Sequence, residues 1–304
     1  MSPIYDLIVV GEGLSGLTCA CEAAKLGLTV ATFEAEFFGG LVVNVNELER
    51  FEEACGLSGL DHAGMLAAGN KKAGVKSIAD TVKAVRRVDG GFEVKASAAT
   101  YMARFVVIAS GARLRKLGVP GEEKFEGRGV SHCADCDAPM FAHADVVVAG
   151  GGNWALQDAL LLARDCSTVH LVYPASAPTA CAEYLERIKS EPKIRLHAHA
   201  VIEEVLGDNT GMTGVRVRDD RGVTTEIAAA GLFALVELQA NSALAPAEVE
   251  RDAANCLKVD DNLETAIAGL FAIGQVRSGF PGWLTDAVSD ASRAARLVKA
   301  RINP

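Results

Sequence analysis

A chain of 304 residues, half hydrophobic and 23% charged, is long enough for one large globular domain or two ordinary ones. Its net charge of −9, with no basic run, excludes a nucleic-acid surface, and no apolar stretch approaches the ~20 residues of a membrane span. No basic segment precedes the first apolar run, which excludes a signal peptide and predicts a cytoplasmic protein whose eight cysteines are mostly reduced thiols.

The first element, in "YDLIVVGEGLSGLTCACEAAKLGLTVATFEAE", reads as strand, glycine turn, helix and strand. Gly11, Gly13 and Gly16 form G-x-G-x-x-G where a strand passes into a helix. The first glycine makes the tight turn, the second admits a pyrophosphate to the backbone, and the third packs helix against strand. Glu34 follows about 20 residues on at the end of the next strand, where an acid hydrogen-bonds a ribose hydroxyl. Strand, turn, helix and acid together predict a dinucleotide site.

Further along, "RFVVIASGA" is a short β-branched strand ending in small residues, and "SHCADCDAP" carries Cys133 and Cys136. The layout of the first element then recurs in "HADVVVAGGGNWALQDALLLARDCSTVHLVYPAS", and "LFAIGQV" is a late strand followed by a helix from Asp286 to Arg301. The fold class is therefore α/β, with two Rossmann-like domains built on parallel sheets. "RLRKLGVPG" and "VELQANSALAPAEVE" read as linkers. They divide the chain into a discontinuous first domain, 1–114 with 246–304, and an inserted second domain, 115–245.

The second glycine motif is the weaker one. Gly150 and Gly152 are correctly placed and Ala155 is an acceptable third small residue, but Trp154 falls where the helix start should leave room for phosphates. The next strand ends in "VYPASAPTA", with no arginine for a 2′-phosphate and no acid for a free ribose hydroxyl. The expectation is a retained fold with a lost nucleotide site.

A zinc site needs about four ligands, and here one C-x-x-C pair has only His132 beside it, so no metal site is expected. A structural disulfide is disfavoured by the compartment. What remains is a redox dithiol, since C-x-x-C geometry lowers a thiol pKa into the reactive range. Asp137 is either its proton carrier or a solvated loop acid, and His132 either stabilises a thiolate or, the slightly preferred reading, caps a turn. The other cysteines, 19, 21, 55, 166, 181 and 256, read mostly as buried small hydrophobes.

Taken in order, "GEGLSG", "FFGGLVVNVNELERF", "VVIASGARLRKLGVPGEEKFEGRGVSHCADCD", "VVVAGGGNWALQDA" and "GLFAIGQV" resemble low-molecular-weight thioredoxin reductase from end to end. The stretch from Phe105 to Asp137 is the most specific part. The resemblance implies a homodimer with FAD in the split domain and an inserted NADPH-type domain carrying the cysteines. It implies that Cys136 exchanges electrons with the flavin, Cys133 forms the mixed disulfide with a partner, and Asp137 moves the proton. The FAD positions it implies are Gly11, Gly13, Leu14, Ser15, Gly16, Glu34, Ala35, Gly39, Gly40, Asn46, Ala109, Ser110, Gly111, Gly274, Gln275, Trp283 and Leu284.

The sequence also departs from that family. The family's His-Arg-Arg run and following arginine fall on Tyr173, Pro174, Ala175 and Thr179, and a serine is replaced by Trp154. Its Gly-Asp pair reads Gly274–Gln275, its Arg-Gln pair falls on Gly282–Trp283, and an asparagine on Arg50. The expectation is thus a flavin disulfide oxidoreductase without NADPH, fed by a ferredoxin, a flavodoxin or another flavin and acting on a thioredoxin-like protein. A dithiol oxidase working on a small dithiol or lipoyl-type carrier, and a non-catalytic flavin-binding protein, remain as alternatives.

Overall fold

The computed structural model describes residues 4–45, 48, 51, 54–236 and 238–302. The chain divides into two compact units, one formed by residues up to Arg113 together with those from Gln239 onward, the other by Leu114–Leu238.

In the first unit, β1 (Ile4–Val10) alternates between two buried faces. Ile8 and Val10 join one apolar cluster, while Leu7 and Val9 join another. This is why "LIVV" reads as a continuous apolar run: a strand covered on both faces has no polar side to show. α1 (Leu14–Lys25) follows directly, then β2 (Val30–Glu34), α2 (Gly59–Lys72), β3 (Lys76–Ala79), β4 (Val82–Val88), β5 (Gly91–Ala96) and β6 (Thr100–Ile108). β3, β2, β1 and β6 are parallel neighbours. The free edge of β6 is shared: its first half pairs antiparallel with β5, from Thr100 to Ala103. β7 (Ala112–Leu114) then carries the chain out of this unit.

The second unit contains β8 (Val130–Ser131), the single turn α3 (Ala134–Asp137), β9 (Asp145–Ala149), α4 (Asn153–Asp165), β10 (Thr168–Val172), α5 (Ala182–Ser190) and β11 (Ile194–His197). A three-stranded antiparallel sheet of β12 (Ala200–Gly207), β13 (Met212–Asp219) and β14 (Thr224–Ala228) comes next, followed by β15 (Gly231–Ala234). The main sheet is parallel in the order β11-β10-β9-β15-β8. Val146 and Val148 of β9 face α4, and Val147 and Ala149 face the antiparallel layer.

β16 (Leu238–Ala240) returns the chain to the first unit. The return lies at 238/239 rather than 245/246 because Ala245 and Val249 are buried in the first unit's core and Leu244 accepts from the amide of Val85. β17 (Leu270–Ala272) takes the second half of the β6 edge, pairing parallel with Val106–Ile108. α6 spans Leu284–Ile302, two residues earlier than the sequence pattern places its start. Its buried stripe, Ala287, Ala291, Ala294, Ala295 and Val298, keeps helical spacing, and its small residues let it lie close against α1. Among the described residues no helix is long and apolar enough to cross a membrane.

Candidate active site

In the first unit the strand-to-helix turn is shaped by backbone. Gly11 takes φ +106, and a Cβ there would meet the Ala109 carbonyl oxygen at 2.4 Å. A Cβ on Gly16 would stand 1.9 Å from the Gly11 oxygen. Gly13 differs: it has an ordinary φ of −71, and a Cβ would find only the Gly39 oxygen, at 3.8 Å. It is the N-cap of α1 and offers no side-chain acceptor to the first amides of that helix. An uncapped helix start over an open glycine is a cradle for an anionic phosphate.

Several of the other sequence-predicted positions of this unit lie beside it. Glu34 accepts from the Glu12 amide at 3.0 Å with one oxygen, and from the Ala35 and Glu36 amides at 2.9 and 3.1 Å with the other. Three backbone donors fix the carboxylate at the end of β2, and lone pairs remain for a hydroxyl. Gly39 bridges Gly13 and donates to the Glu12 carbonyl at 2.6 Å; Gly40 lies against the Gly13 backbone. Ala109 is buried behind Gly11. Ser110 donates to the Asn241 carbonyl at 2.8 Å, and Gly111 accepts from the Asn241 amide at 3.0 Å. Leu14 is buried at the start of α1. Asn46 and Arg50 lie outside the described residues.

Gly274 reaches the same turn from the far end of the chain. At φ +67 it presses on Ser15, whose hydroxyl would stand 2.4 Å from an added Cβ. A buried ion pair pins it there: Asp290 accepts from the Gly274 amide at 3.0 Å and from Arg277 through Nε and Nη2, at 2.6 and 3.0 Å. Gln275 is half-buried, Trp283 is 46% exposed, and Leu284 begins α6. Sequence reading missed Glu12. It is buried within the glycine motif, and Thr32 of β2 donates its hydroxyl to the carboxylate. The signal was an acid in a motif position that small residues fill at no cost.

In the second unit Cys133 and Cys136 are joined as a disulfide across α3, with Cα atoms 5.3 Å apart. Cys136 is exposed and Cys133 half-buried. The Cys136 amide donates to the Cys133 sulfur at 3.2 Å. Asp137, the next residue, is held by Ser131, whose hydroxyl donates to its carboxylate at 2.6 Å and accepts from the Cys133 amide at 3.1 Å. One hydroxyl therefore ties the acid to the first cysteine, and Ser131 went unremarked in the sequence. His132 does not cap a turn: its Nε2 faces the Glu126 carboxylate at 3.1 Å. Among the described residues no three metal-ligating side chains cluster.

The cysteines outside the pair correct the sequence reading. Only Cys19 and Cys166 are buried, with thiols pushed up to about 12 and about 11 by desolvation. Cys55, in a turn, is exposed, and Cys21 on α1, Cys181 at the N-cap of α5 and Cys256 in irregular chain are half-buried.

The second glycine turn is also different in kind. Gly150, at φ +142, would put a Cβ 2.2 Å from the Leu235 oxygen, so the fold alone requires glycine there. The Gly151 carbonyl accepts from the Thr179 amide and the Asn153 side chain from the Cys181 amide, both at 2.7 Å, folding segment 174–181 back on the turn. Tyr173 is buried. Trp154 does not crowd the turn, contrary to the sequence expectation. Its ring packs, partly buried, on the apolar cluster of α4, and the space over Gly152 is open. What the turn lacks is charge, since residues 173–181 include no lysine, arginine or histidine.

A uncapped dinucleotide turn with a fixed acid, and a disulfide spanning C-x-x-C beside a hydrogen-bonded carboxylate, define a flavin disulfide oxidoreductase. The chain belongs to the pyridine nucleotide-disulphide oxidoreductase family, whose model matches residues 5–295. Within it the chain is thioredoxin-reductase-like and FAD-dependent. It is 31% identical to thioredoxin reductase of Treponema pallidum (strain Nichols) over 305 residues, covering 100% of this chain and 99% of the relative. It is 33% identical to that of Streptomyces clavuligerus over 281 residues, 91% and 87% of the two chains. Among solved structures, Lactococcus lactis thioredoxin reductase in its FR conformation superposes with a TM-score of 0.90 at 29% identity, over 97% of this chain and 98% of that one. Thioredoxin reductase of T. acidophilum gives 0.89 at 27%, covering 99% of each.

Proposed function

We propose that this chain passes electrons between FAD and a partner disulfide through Cys133 and Cys136, and takes them from a donor other than NADPH. The observation that carries the second half is the cation-free segment 173–181 beside the second glycine turn. A 2′-phosphate carries charge that is recognised through arginine or lysine, and helix amides alone do not separate NADPH from other anions. The nicotinamide nucleotide of the family therefore does not fit the donor set of this unit. A small iron–sulfur protein or a flavodoxin, on the pattern of a ferredoxin, is the donor class.

The residues of the first unit fit FAD. Gly13 leaves room for its pyrophosphate over the first amides of α1, together with Leu14, Ser15, Gly39 and Gly40, and Glu34 with Ala35 receives the adenosine ribose. Ala109, Ser110, Gly111, Gly274, Gln275, Trp283 and Leu284 line the remainder. FAD supplies a two-electron carrier there. Cys136 is the thiol assigned to exchange with it, and Cys133 the thiol that forms the mixed disulfide with a thioredoxin-like protein. Asp137, oriented by Ser131, moves the proton that leaves or joins the sulfurs. In this reading the first unit is the FAD domain, the second the inserted domain bearing the cysteines, and the working form a cytoplasmic homodimer.

Anaerobic stopped-flow at the flavin absorbance tests the donor. Reduced ferredoxin or flavodoxin is expected to bleach the flavin, with NADPH at micromolar concentration leaving it oxidised. Rapid bleaching by NADPH overturns the donor assignment. Reduction by a small dithiol with oxygen-dependent turnover reverses the direction of flow. Cys136→Ser with full activity removes the dithiol from the mechanism.

A further inference from the structure

Asp158 interrupts the apolar face of α4. It is 9% exposed, while Ala155, Leu156, Ala159 and Leu162 around it are fully buried. An acid in that stripe contributes nothing to packing and is costly to desolvate. Its hydrogen bond leads out of the helix, accepting from the amide of Ala134, the residue that follows Cys133 in α3. Ala134 and Ala138 share the apolar cluster of α4, so the turn carrying the disulfide rests on the helix that carries this carboxyl.

The other elements packed on α4 bring little charge to it. β9 and β10 contribute Val146, Val148, Val169 and Leu171, and α5 contributes Tyr184, Leu185 and Ile188. Of the titratable members of the cluster, Tyr173 and Cys166 are both pushed up by burial and stay neutral at neutral pH. Asp135, on α3, is the charged group whose field reaches Asp158. Burial first, and Asp135 second, push the Asp158 carboxyl up to about 7, against the pull of the Ala134 amide.

We propose that Asp158 is a positioning residue for the Cys133–Cys136 couple: bonded to the Ala134 amide, it sets the thiolate fraction of the reduced pair and exchanges a proton with solvent as the pair changes redox state. This rests on the reading of the pair as a redox couple. When a small dithiol reduces the pair, the Cys133–Cys136 bond breaks as the reagent's own disulfide closes, and two electrons pass to the two sulfurs. Two protons follow if both end as thiols. If one ends as a thiolate, the second proton goes to Asp158 or to solvent. The carboxyl acts on the amide directly after Cys133, so a charge on either group disfavours a charge on the other.

The test is the pH profile of iodoacetamide labelling of Cys133 and Cys136 in the flavin-bound protein after anaerobic reduction with dithiothreitol, with the sites read by peptide mass spectrometry. Asp158→Asn keeps the acceptor for Ala134 and removes the charge. Above pH 7, where the native carboxyl is charged, the variant is expected to label as the native protein does about one pH unit higher, up to roughly tenfold more thiolate, with no difference in acid and the inflection near pH 7 gone. An unchanged profile in a folded, flavin-bound variant overturns the inference. Native protein provides a second measurement that needs no variant, the infrared difference between oxidised and reduced states with 13C-labelled aspartate. Reduction at pH 7 should enlarge the protonated-carboxyl band, and no change also overturns the inference. Cysteines that label fully without prior reduction contradict the redox reading itself, whatever Asp158 does.

Discussion

Replacing Asp158 by asparagine is expected to stabilise the protein at alkaline pH and to do nothing in acid. The carboxyl rises from its ordinary 3.8 to about 7 on folding, chiefly by burial. Between these values the unfolded chain releases a proton that the folded chain keeps, so native stability falls as pH rises through that window and is constant above it. At about 1.4 kcal/mol per pH unit, the penalty at pH 8 reaches roughly 4 kcal/mol as a ceiling, and relaxation around the site reduces what is measured. Asparagine has the same shape, still accepts from Ala134 and does not ionise. Urea unfolding of native and Asp158→Asn proteins at pH 8 should show the variant ahead by about 1–4 kcal/mol, the difference vanishing near pH 4. His170 and His197, whose ring nitrogens lie 2.9 Å apart, are both pushed down by burial and act with the opposite sign, losing stability as pH falls through the ordinary imidazole range. They are common to both proteins and cancel in the difference. A variant that is less stable than native at pH 8, or a gap that is the same at both pH values, refutes the reasoning.

Gly16→Ala should fail where Gly69→Ala succeeds. The first drives a Cβ to 1.9 Å from a backbone oxygen and costs about 3 kcal/mol or more, seen as lost flavin and a lower Tm; the second meets nothing within 4 Å in α2 and gains about 0.5–1 kcal/mol. Arg277→Met leaves the buried Asp290 carboxylate unpaired and should cost about 3–5 kcal/mol in urea unfolding, most of it recovered by adding Asp290→Asn; equal losses in single and double variants contradict the pairing. Pro174→Arg with Ala175→Arg returns cations to a turn whose space is open, and should lower the NADPH concentration needed to bleach the flavin by about tenfold or more. No gain in stopped-flow would show that charge is not what the turn lacks.

The fold was legible because its signals are local. Strand periodicity, glycine turns and the acid closing β2 each lie within a short stretch, and both strand–turn–helix starts form where the pattern puts them. What escaped was the choice of partner across elements. Nothing near Asp158 in sequence says that its carboxyl meets the amide after Cys133, and nothing near Asp290 says that it holds Gly274 against Ser15. The position of Trp154 in the motif suggested obstruction, yet the apolar cluster beside α4 draws the ring away from the turn. A motif fixes backbone; where a large side chain goes is decided by the nearest place to bury it.

The two glycine turns show which residues report on a ligand. Gly11, Gly16 and Gly150 are demanded by the chain itself, since a Cβ at any of them would enter a backbone carbonyl. They would be glycine whether or not a nucleotide bound. Gly13 and Gly152 are not demanded: each has an ordinary φ, near −71 and −86, and no atom closer than 3.8 Å to an added Cβ. A methyl group at either position is free in the empty fold and harmful only if a phosphate must come close. Gly13→Ala is therefore expected to leave unfolding of the flavin-stripped protein unchanged while weakening flavin retention by about tenfold or more, read by equilibrium dialysis. Gly152→Ala should change neither retention nor ferredoxin-driven turnover. Normal flavin retention in Gly13→Ala removes the first cradle from its assigned role. A loss of turnover in Gly152→Ala, with stability intact, places a working anion over the second turn and returns a nucleotide to this chain.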